Sequence, residues 1–503
     1  MAWRERPAPC GWRANAASFG LGLLSAAALP PVFALPVLLL AVPGLLWLVA
    51  GSAGFWAAFR RGWWFGFGHH LLGLYWITEA ILVRADELWW AVPLAVPALA
   101  AGMALFIAAP CAVARRPGGG RVSLVLILAG AWVLAEWARQ YLATGFPWNP
   151  WGSVWAMPGL PGDIFIQLAA FIGVPGLTLL TLLIAASPYC GWRAMGVAGG
   201  ALIAWAGLGV WRLSLPPPPA PGVTVVLVQG NVPEGKKLDN AYAHEIFTRY
   251  LSLTRSGTGT PTGKTVVVWP ESASPYLLTQ DAAARDAIAA AANGAVSLVG
   301  TVRFSETGRP LNSLLVIKPD GSAGEVYDKW HLVPFGEYQP GWFPLPFQVV
   351  PGGGFGFGPG PGTLSIDGLP KAGALICYEV IFPGEVADAG NRPGWLVNVT
   401  NDAWFGTSSG PRQHLAAARL RAVEEGLPLL RAANTGITAG FDARGVELGR
   451  LPQNEAGVLT LTLPAAWDVT VFAKFGLEIP LGLGVFSLVL GVFFTPLRSL
   501  RRV

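Results

Sequence analysis

Three short strings in the second half of this chain hold side chains able to do covalent chemistry together. VVVWPES (266–272) places Glu271 directly after an apolar run. YDKWHLVPFGEY (327–338) carries Lys329 and Glu337. ALICYE (374–379) places Cys377 at the end of another apolar run, with Glu379 two residues later. A thiol, a carboxylate and an amine brought together suffice for acyl transfer. The sulfur attacks a carbonyl carbon, and Glu271 takes the thiol proton and moves protons in the second half-reaction. Lys329 lowers the thiol pKa through its charge and holds the tetrahedral oxyanion. Taken singly, each residue also fits an ordinary role: a core cysteine, a turn carboxylate, a surface lysine. His331 is read as a structural histidine in a turn rather than a partner of the thiol.

These strings sit where strands should end. Runs at 222–229, 265–269, 296–302, 313–318, 372–377, 395–399, 436–441 and 457–462 are rich in β-formers, and several are continuously apolar, as expected of strands covered on both faces. Helical segments are expected at 239–254, 281–292 and 411–425. The result is an α/β layered domain over 221–468, whose functional groups should collect at strand carboxyl ends. No Gly-rich phosphate loop and no Cys/His metal spacing is seen, so neither a nucleotide, a metal nor another cofactor is expected.

The rest of the chain has a different solvent. Of 503 residues, 53% are hydrophobic and only 13% charged, and 23 are Trp. A wholly soluble or disordered protein is excluded. Residues 1–213 contain no lysine. Seven apolar spans are expected there, at about 14–29, 31–50, 55–80, 90–113, 122–141, 164–187 and 194–212, and an eighth at about 475–495. If the spans alternate, Arg4, Arg6, Arg13, Arg60, Arg61, Arg115, Arg116, Arg121, Arg193, Arg498, Arg501 and Arg502 all fall on one side. The positive-inside rule then makes both termini cytoplasmic and puts the α/β domain across the membrane. In a bacterium that is the periplasmic side of the inner membrane. The expected organisation is a seven-helix membrane domain (1–213), a Pro-rich linker SLPPPPA (214–220), the α/β domain (221–468), and a last helix with a cytoplasmic tail (469–503). The basic character of the chain thus reports topology, and no nucleic-acid partner is expected. Glu136 and Arg139 share one helical face in an apolar span, where a structural pairing competes with a functional role.

WPES, YDKWHLVPFGE and ICYE, in that order, resemble the three motifs of the carbon–nitrogen hydrolase (nitrilase) superfamily. GFPWNPWG (145–152), VQGNVP (228–233), LNSLLV (311–316) and VNVTNDAWFG (397–406), together with the seven-plus-one spans, make the whole chain similar to the apolipoprotein N-acyltransferase family. The resemblance implies an α-β-β-α sandwich beside the eight transmembrane helices. It implies Cys377 as nucleophile, Glu271 as general base and Lys329 as stabiliser of the oxyanion. Glu337 would support the lysine, Tyr378 and Glu379 would follow the nucleophile, and the Tyr378 N–H would be a second oxyanion donor. The substrates implied are a membrane phospholipid as acyl donor and a diacylated apolipoprotein as acceptor, joined by ping-pong through a thioester. One departure is Leu238, where the family often has an aromatic residue. The segment 340–360, with Trp342, Phe343, Phe347, Phe355 and Phe357 among Gly and Pro, is expected to be a lid or lipid-contacting arm, with Trp404 contributing. A membrane-tethered amidase is the competing activity. A non-enzymatic transporter or scaffold is the competing class.

Overall fold

The computed structural model describes residues 8–83, 85–115, 119–237, 239–259, 264–341 and 354–494. The chain divides into two units, 1–214 with 474–503, and 215–473.

The first unit is helical. Among the described residues four helices are long and apolar enough to cross a membrane: Trp89–Ala114, Arg121–Tyr141, Ala169–Cys190 and Trp192–Ser214. Leu35–Ala50 and Glu478–Phe493 are shorter apolar helices. Gly11–Ala26 and Phe55–Gly73 are also helical. Two expected spans are interrupted. The run at 55–80 stops at Gly73, where Leu74 leaves helical dihedrals, and resumes as Ile77–Leu82. The run at 164–187 breaks at Gly173 (φ 64°), just ahead of Pro175, whose ring nitrogen cannot continue the ladder. Glu136 is taken up by the Trp151 N–H (3.0 Å) and the Thr178 hydroxyl (2.8 Å). Arg139 lies near enough to interact with it electrostatically.

Among the described residues the second unit has twelve strands: β1 (Val223–Gln229), β2 (Lys264–Trp269), β3 (Val296–Phe304), β4 (Pro310–Ile317), β5 (Ala323–Asp328), β6 (Gly362–Leu364), β7 (Ala372–Ile376), β8 (Trp395–Thr400), β9 (Leu429–Ala433), β10 (Thr438–Phe441), β11 (Glu447–Leu451) and β12 (Gly457–Thr462). They form two six-stranded sheets with orders β12-β1-β2-β3-β4-β5 and β11-β10-β9-β8-β7-β6. In each sheet three adjacent strands are parallel, β1-β2-β3 and β7-β8-β9, and the flanking pairs are antiparallel. Parallel pairing requires crossovers; helices supply those from β1 to β2, β2 to β3 and β8 to β9, while β7 reaches β8 through a 3-10 turn and a loop. One core lies between the sheets, joining Val225, Val266, Val268 and Leu298 to Ala374, Ile376, Val397 and Leu430. A second packs the outer face of the first sheet against helices Ala243–Thr258 and Ala282–Ala292, through Val267, Trp269, Tyr250 and Ile288. Helix Gly410–Glu425 is buried along nearly its whole length. Double coverage explains the continuously apolar strands: every residue of β7, β8 and β9 is buried.

Candidate active site

Glu271 is delivered by the carboxyl end of β2. The strand is anchored by Trp269, whose ring stacks on Tyr250 (4.9 Å between centroids) and whose indole N–H donates to Thr254 Oγ1 (2.8 Å). Pro270, which has no N–H for the ladder, follows it, and the chain turns. The turn lies hard against β3. A Cβ on Gly300 would stand 2.1 Å from Pro270 O and 2.8 Å from Glu271 Cα, so only glycine fits.

Lys329 is the first residue after β5, and its N–H donates to the Asn312 carbonyl on β4 (2.8 Å). Its side chain is 1% exposed, so the ammonium needs partners. Nζ donates to Glu271 Oε1 (3.1 Å) and Glu337 Oε1 (2.9 Å), and Asn312 Nδ2 donates to the same two oxygens (2.8 and 3.0 Å). The remaining carboxylate oxygens are also met. Asn401 N–H donates to Glu271 Oε2 (2.9 Å) and Val333 N–H to Glu337 Oε2 (2.7 Å). One ammonium between two carboxylates leaves a net negative charge, which neutral donors solvate. Lys237 Nζ donates to the Glu271 carbonyl (3.0 Å).

Cys377 follows β7 directly and adopts φ 53°, opening a 3-10 turn over Cys377–Ile381. A left-handed cysteine costs energy unless its surroundings fix it, and such strain concentrates at functional turns. The turn is held by Glu379. Its Oε2 accepts from Ile376 N–H (2.6 Å), and its Oε1 accepts from Tyr327 Oη (2.9 Å), Trp330 N–H (2.8 Å) and His331 N–H (3.3 Å). One carboxyl therefore ties the nucleophile turn to the backbone flanking Lys329.

The electrostatics assign protons. Burial pushes the Cys377 thiol well above its ordinary range and Glu271 adds to that; Lys329 pulls the other way without overcoming them. The cysteine rests as a thiol. The lysine's expected pull is present but outweighed by desolvation. Burial also opposes ionisation of Glu271, yet Lys329, Lys237 and Asn312 together hold its carboxyl below the usual range. Burial works against the Lys329 charge, but Glu271 and Glu337 push its pKa above the ordinary value. The resting set is thus a carboxylate base, an ammonium and a protonated thiol. Burial raises Glu379 to about 7, with the Ile376 and Trp330 amides opposing.

Lys329 is in direct contact with both Glu271 and Glu337, and Cys377 lies in the field of Glu271 and Lys329. Tyr378 is buried, edge-on to Phe382 (5.2 Å). His331 Nε2 lies 2.8 Å from Glu385 Oε2, and the ring stacks on Phe382. Of the arm, Phe357 is 57% exposed and touches Tyr338, and Phe355 is half-buried with its N–H on the Glu337 carbonyl (2.8 Å). Trp342, Phe343, Phe347 and Leu238 lie outside the described residues. Trp404 is half-buried in the turn Asp402–Phe405. Sequence reading missed Asn312 and Asn401. Both stood inside the quoted strings LNSLLV and VNVTNDAWFG, but only the fold shows that they are hydrogen-bond donors to Glu271. Among the described residues no group of three His, Cys, Asp or Glu is placed to hold a metal ion.

Residues 21–187 match the model of the apolipoprotein N-acyltransferase N-terminal domain, and residues 226–468 match that of the carbon-nitrogen hydrolases. The second match contains all three strings that carry Glu271, Lys329 and Cys377. Among solved structures, an amidase from Nesterenkonia sp. shares 19% identity, covering 50% of this chain and 94% of its own at a TM-score of 0.37. Similarity extends through both units in curated relatives. The apolipoprotein N-acyltransferase of Rhodopseudomonas palustris is 41% identical, with 93% of each chain covered. That of Bradyrhizobium diazoefficiens is 41% identical, covering 93% of this chain and 92% of its own. With both family models matched in order and identity sustained across both, the chain belongs to the apolipoprotein N-acyltransferase family.

Proposed function

We propose that this protein moves a fatty acyl chain from a membrane phospholipid to the α-amine of the diacylglyceryl-modified N-terminal cysteine of an apolipoprotein. The observation that carries this reading is the buried Glu271–Lys329–Glu337 constellation beside a cysteine on a left-handed turn, in a chain whose other unit has helices apolar enough for a bilayer.

The reaction runs in two halves. Glu271 removes the Cys377 proton as sulfur attacks the ester carbonyl, and Lys329 Nζ with the Tyr378 N–H holds the oxyanion. The C–O bond breaks, the lysophospholipid alkoxide takes the proton from Glu271, and a thioester remains. The acceptor amine then attacks the thioester while Glu271 accepts an amine proton. The C–S bond breaks, the proton returns to sulfur, and an amide has replaced an ester. No cofactor and no energy input is required, since the donor is already an ester.

The membrane arrangement is part of the proposal. Eight spans hold the acyl chains, both termini are cytoplasmic, and the α/β unit faces the periplasm of the bacterial inner membrane. The arginines on one side of the spans support that orientation. The arm at 340–360, with Phe355 and Phe357, would contact lipid.

Mass spectrometry of the purified enzyme with phospholipid tests the reading. An acyl adduct on Cys377, stable until an amine-bearing lipopeptide is added and absent from Cys377→Ala, is expected. Adduct loss at one rate with and without lipopeptide would mean a hydrolase. No adduct under any condition would exclude the acyl-enzyme.

A further inference from the structure

The nucleophile is also held through its own carbonyl, by a second set of residues. The Cys377 carbonyl oxygen lies 3.0 Å from His414 Nε2. A carbonyl only accepts, so Nε2 carries the hydrogen whatever the charge of the ring. The other ring nitrogen, Nδ1, lies 2.9 Å from Asp402 Oδ1 and 3.1 Å from Arg431 Nη2. Arg431 Nη2 also pairs with Asp402 Oδ2 (2.6 Å), its Nη1 donates to Asn398 Oδ1 (2.5 Å), and Asn398 Nδ2 donates back to the Leu375 carbonyl on β7 (3.3 Å). His414, Asp402, Arg431 and Asn398 are each fully buried. Gly436 leaves the space for Asp402: a Cβ there would stand 2.2 Å from Asp402 Oδ2.

Two features connect this cluster to the chemistry. First, a peptide unit is planar, so anchoring the carbonyl of residue 377 also fixes the direction of the N–H of residue 378. That N–H is the proposed second oxyanion donor. Second, Asp402 follows Asn401, whose N–H binds Glu271 Oε2 (2.9 Å). One turn therefore sets both the base and, through His414, the nucleophile.

We propose that His414, oriented by Asp402 and Arg431, is a positioning residue that fixes the Cys377 turn and aims the Tyr378 N–H at the oxyanion. This rests on the acyl-transfer reading. Two substitutions separate its two contacts. In His414→Gln the side-chain amide reaches the Nε2 position and keeps the donor to Cys377 O. In His414→Asn it reaches only the Nδ1 position and keeps the Asp402 side. The rate constant for acyl adduct formation on Cys377 should fall about 100-fold in His414→Asn, the scale of losing an aligned oxyanion donor, with KM for phospholipid unchanged. His414→Gln should remain within about tenfold of wild type, on the same scale.

The rate per folded enzyme, normalised by the final adduct amplitude, is the deciding readout, because a purely structural role lowers amplitude and melting temperature but not that rate. An unchanged rate in His414→Asn, or His414→Gln as slow as His414→Asn, overturns the proposal. Alkylation of Cys377 by iodoacetamide, followed on the Cys377 peptide, is a second measurement that needs no acyl substrate. It should show the same order, with His414→Asn the slower. If the wild-type enzyme formed no acyl adduct, the functional reading would fall while alkylation still judged the positioning.

Discussion

Replacing Glu271 by Gln tests the central electrostatic claim, that the cysteine rests as a thiol and its proton leaves to a carboxylate. Gln cannot accept that proton. The sulfur must then ionise unaided in a site where burial holds its pKa high. Loss of a positioned general base costs about 10²–10⁴ in rate, or about 3–5 kcal/mol of barrier at 1.36 kcal/mol per tenfold. The pH dependence is more diagnostic than the size. In the wild type Glu271 lies below the ordinary carboxylate range, held there by Lys329, Lys237 and Asn312 against burial. Its basic form is populated above that lowered pKa, so acylation should be flat from about pH 5 up to the alkaline range. In Glu271→Gln the rate should instead rise about tenfold per pH unit, tracking the small thiolate fraction. The assay is rapid-quench mass spectrometry of the Cys377 adduct. Stability should also fall. Glu271 accepts from Lys329, Asn312 and Asn401, and an amide turns one of its two acceptor ends into a donor. A buried donor left unmatched costs about 1–3 kcal/mol. A wild-type acylation rate that itself climbs tenfold per pH unit through neutrality would refute Glu271 as the base that takes the thiol proton. So would a variant within threefold of wild type.

Other perturbations read different parts of the site. Gly300→Ala sets a methyl 2.1 Å from the Pro270 carbonyl and must push the base off its position; acylation should fall about 100-fold with about 1–3 kcal/mol of destabilisation, measured by adduct kinetics and thermal melting. Glu379, raised by burial to about 7 in the folded protein, contributes stability that is full below its unfolded pKa near 4.5 and is lost as pH rises through 7. The melting temperature of wild type minus that of Glu379→Gln should therefore decline between about pH 4.5 and 7 and level off above, on any constant offset from altered hydrogen bonds. Phe357, 57% exposed, should contribute binding alone: Phe357→Ser is expected to raise KM for phospholipid about fivefold with kcat intact, consistent with about 1 kcal/mol of lost apolar contact.

What could be read from the sequence follows from which interactions are local. Strand cores were legible because burial on both faces writes itself as uninterrupted Val, Leu and Ile: the run at 265–269 is β2 and that at 395–399 is β8, each extended by one residue. β5 and β11 were missed because AGEVYD and ELGRL carry charges on partly exposed strands, and β6 because it is three residues long. β9 was missed for another reason. Its LLRAA contains Arg431, fully buried, and a charge in an interior strand reads as surface until its partner Asp402 is found 29 residues away. Glycine and proline breaks such as Gly173 are tolerated or interrupting according to packing, which hydropathy does not encode.

The same distinction separates the reactive groups from those that make them reactive. Glu271, Lys329 and Cys377 announce themselves by residue type at strand ends. Asn312, Asn401 and His414 are ordinary types whose effect depends on long-range pairing, 41, 130 and 37 residues from the groups they bond. These neutral donors have energetic consequences the triad alone does not supply. A lysine 1% exposed between two carboxylates is an unbalanced cluster in a poor dielectric, and each carboxylate oxygen left bare would favour protonation and remove the base. The amides of Asn401 and Val333 prevent that by meeting the two oxygens the ammonium does not reach, and Asn312 adds a second donor to the two it does. A base prepared this way needs no water to stabilise it. In the proposed reaction the same dryness protects the thioester: with Glu271 and Cys377 both buried, bulk water has little access to the acyl-enzyme, and an amine delivered on a lipid-anchored chain has the advantage over hydrolysis.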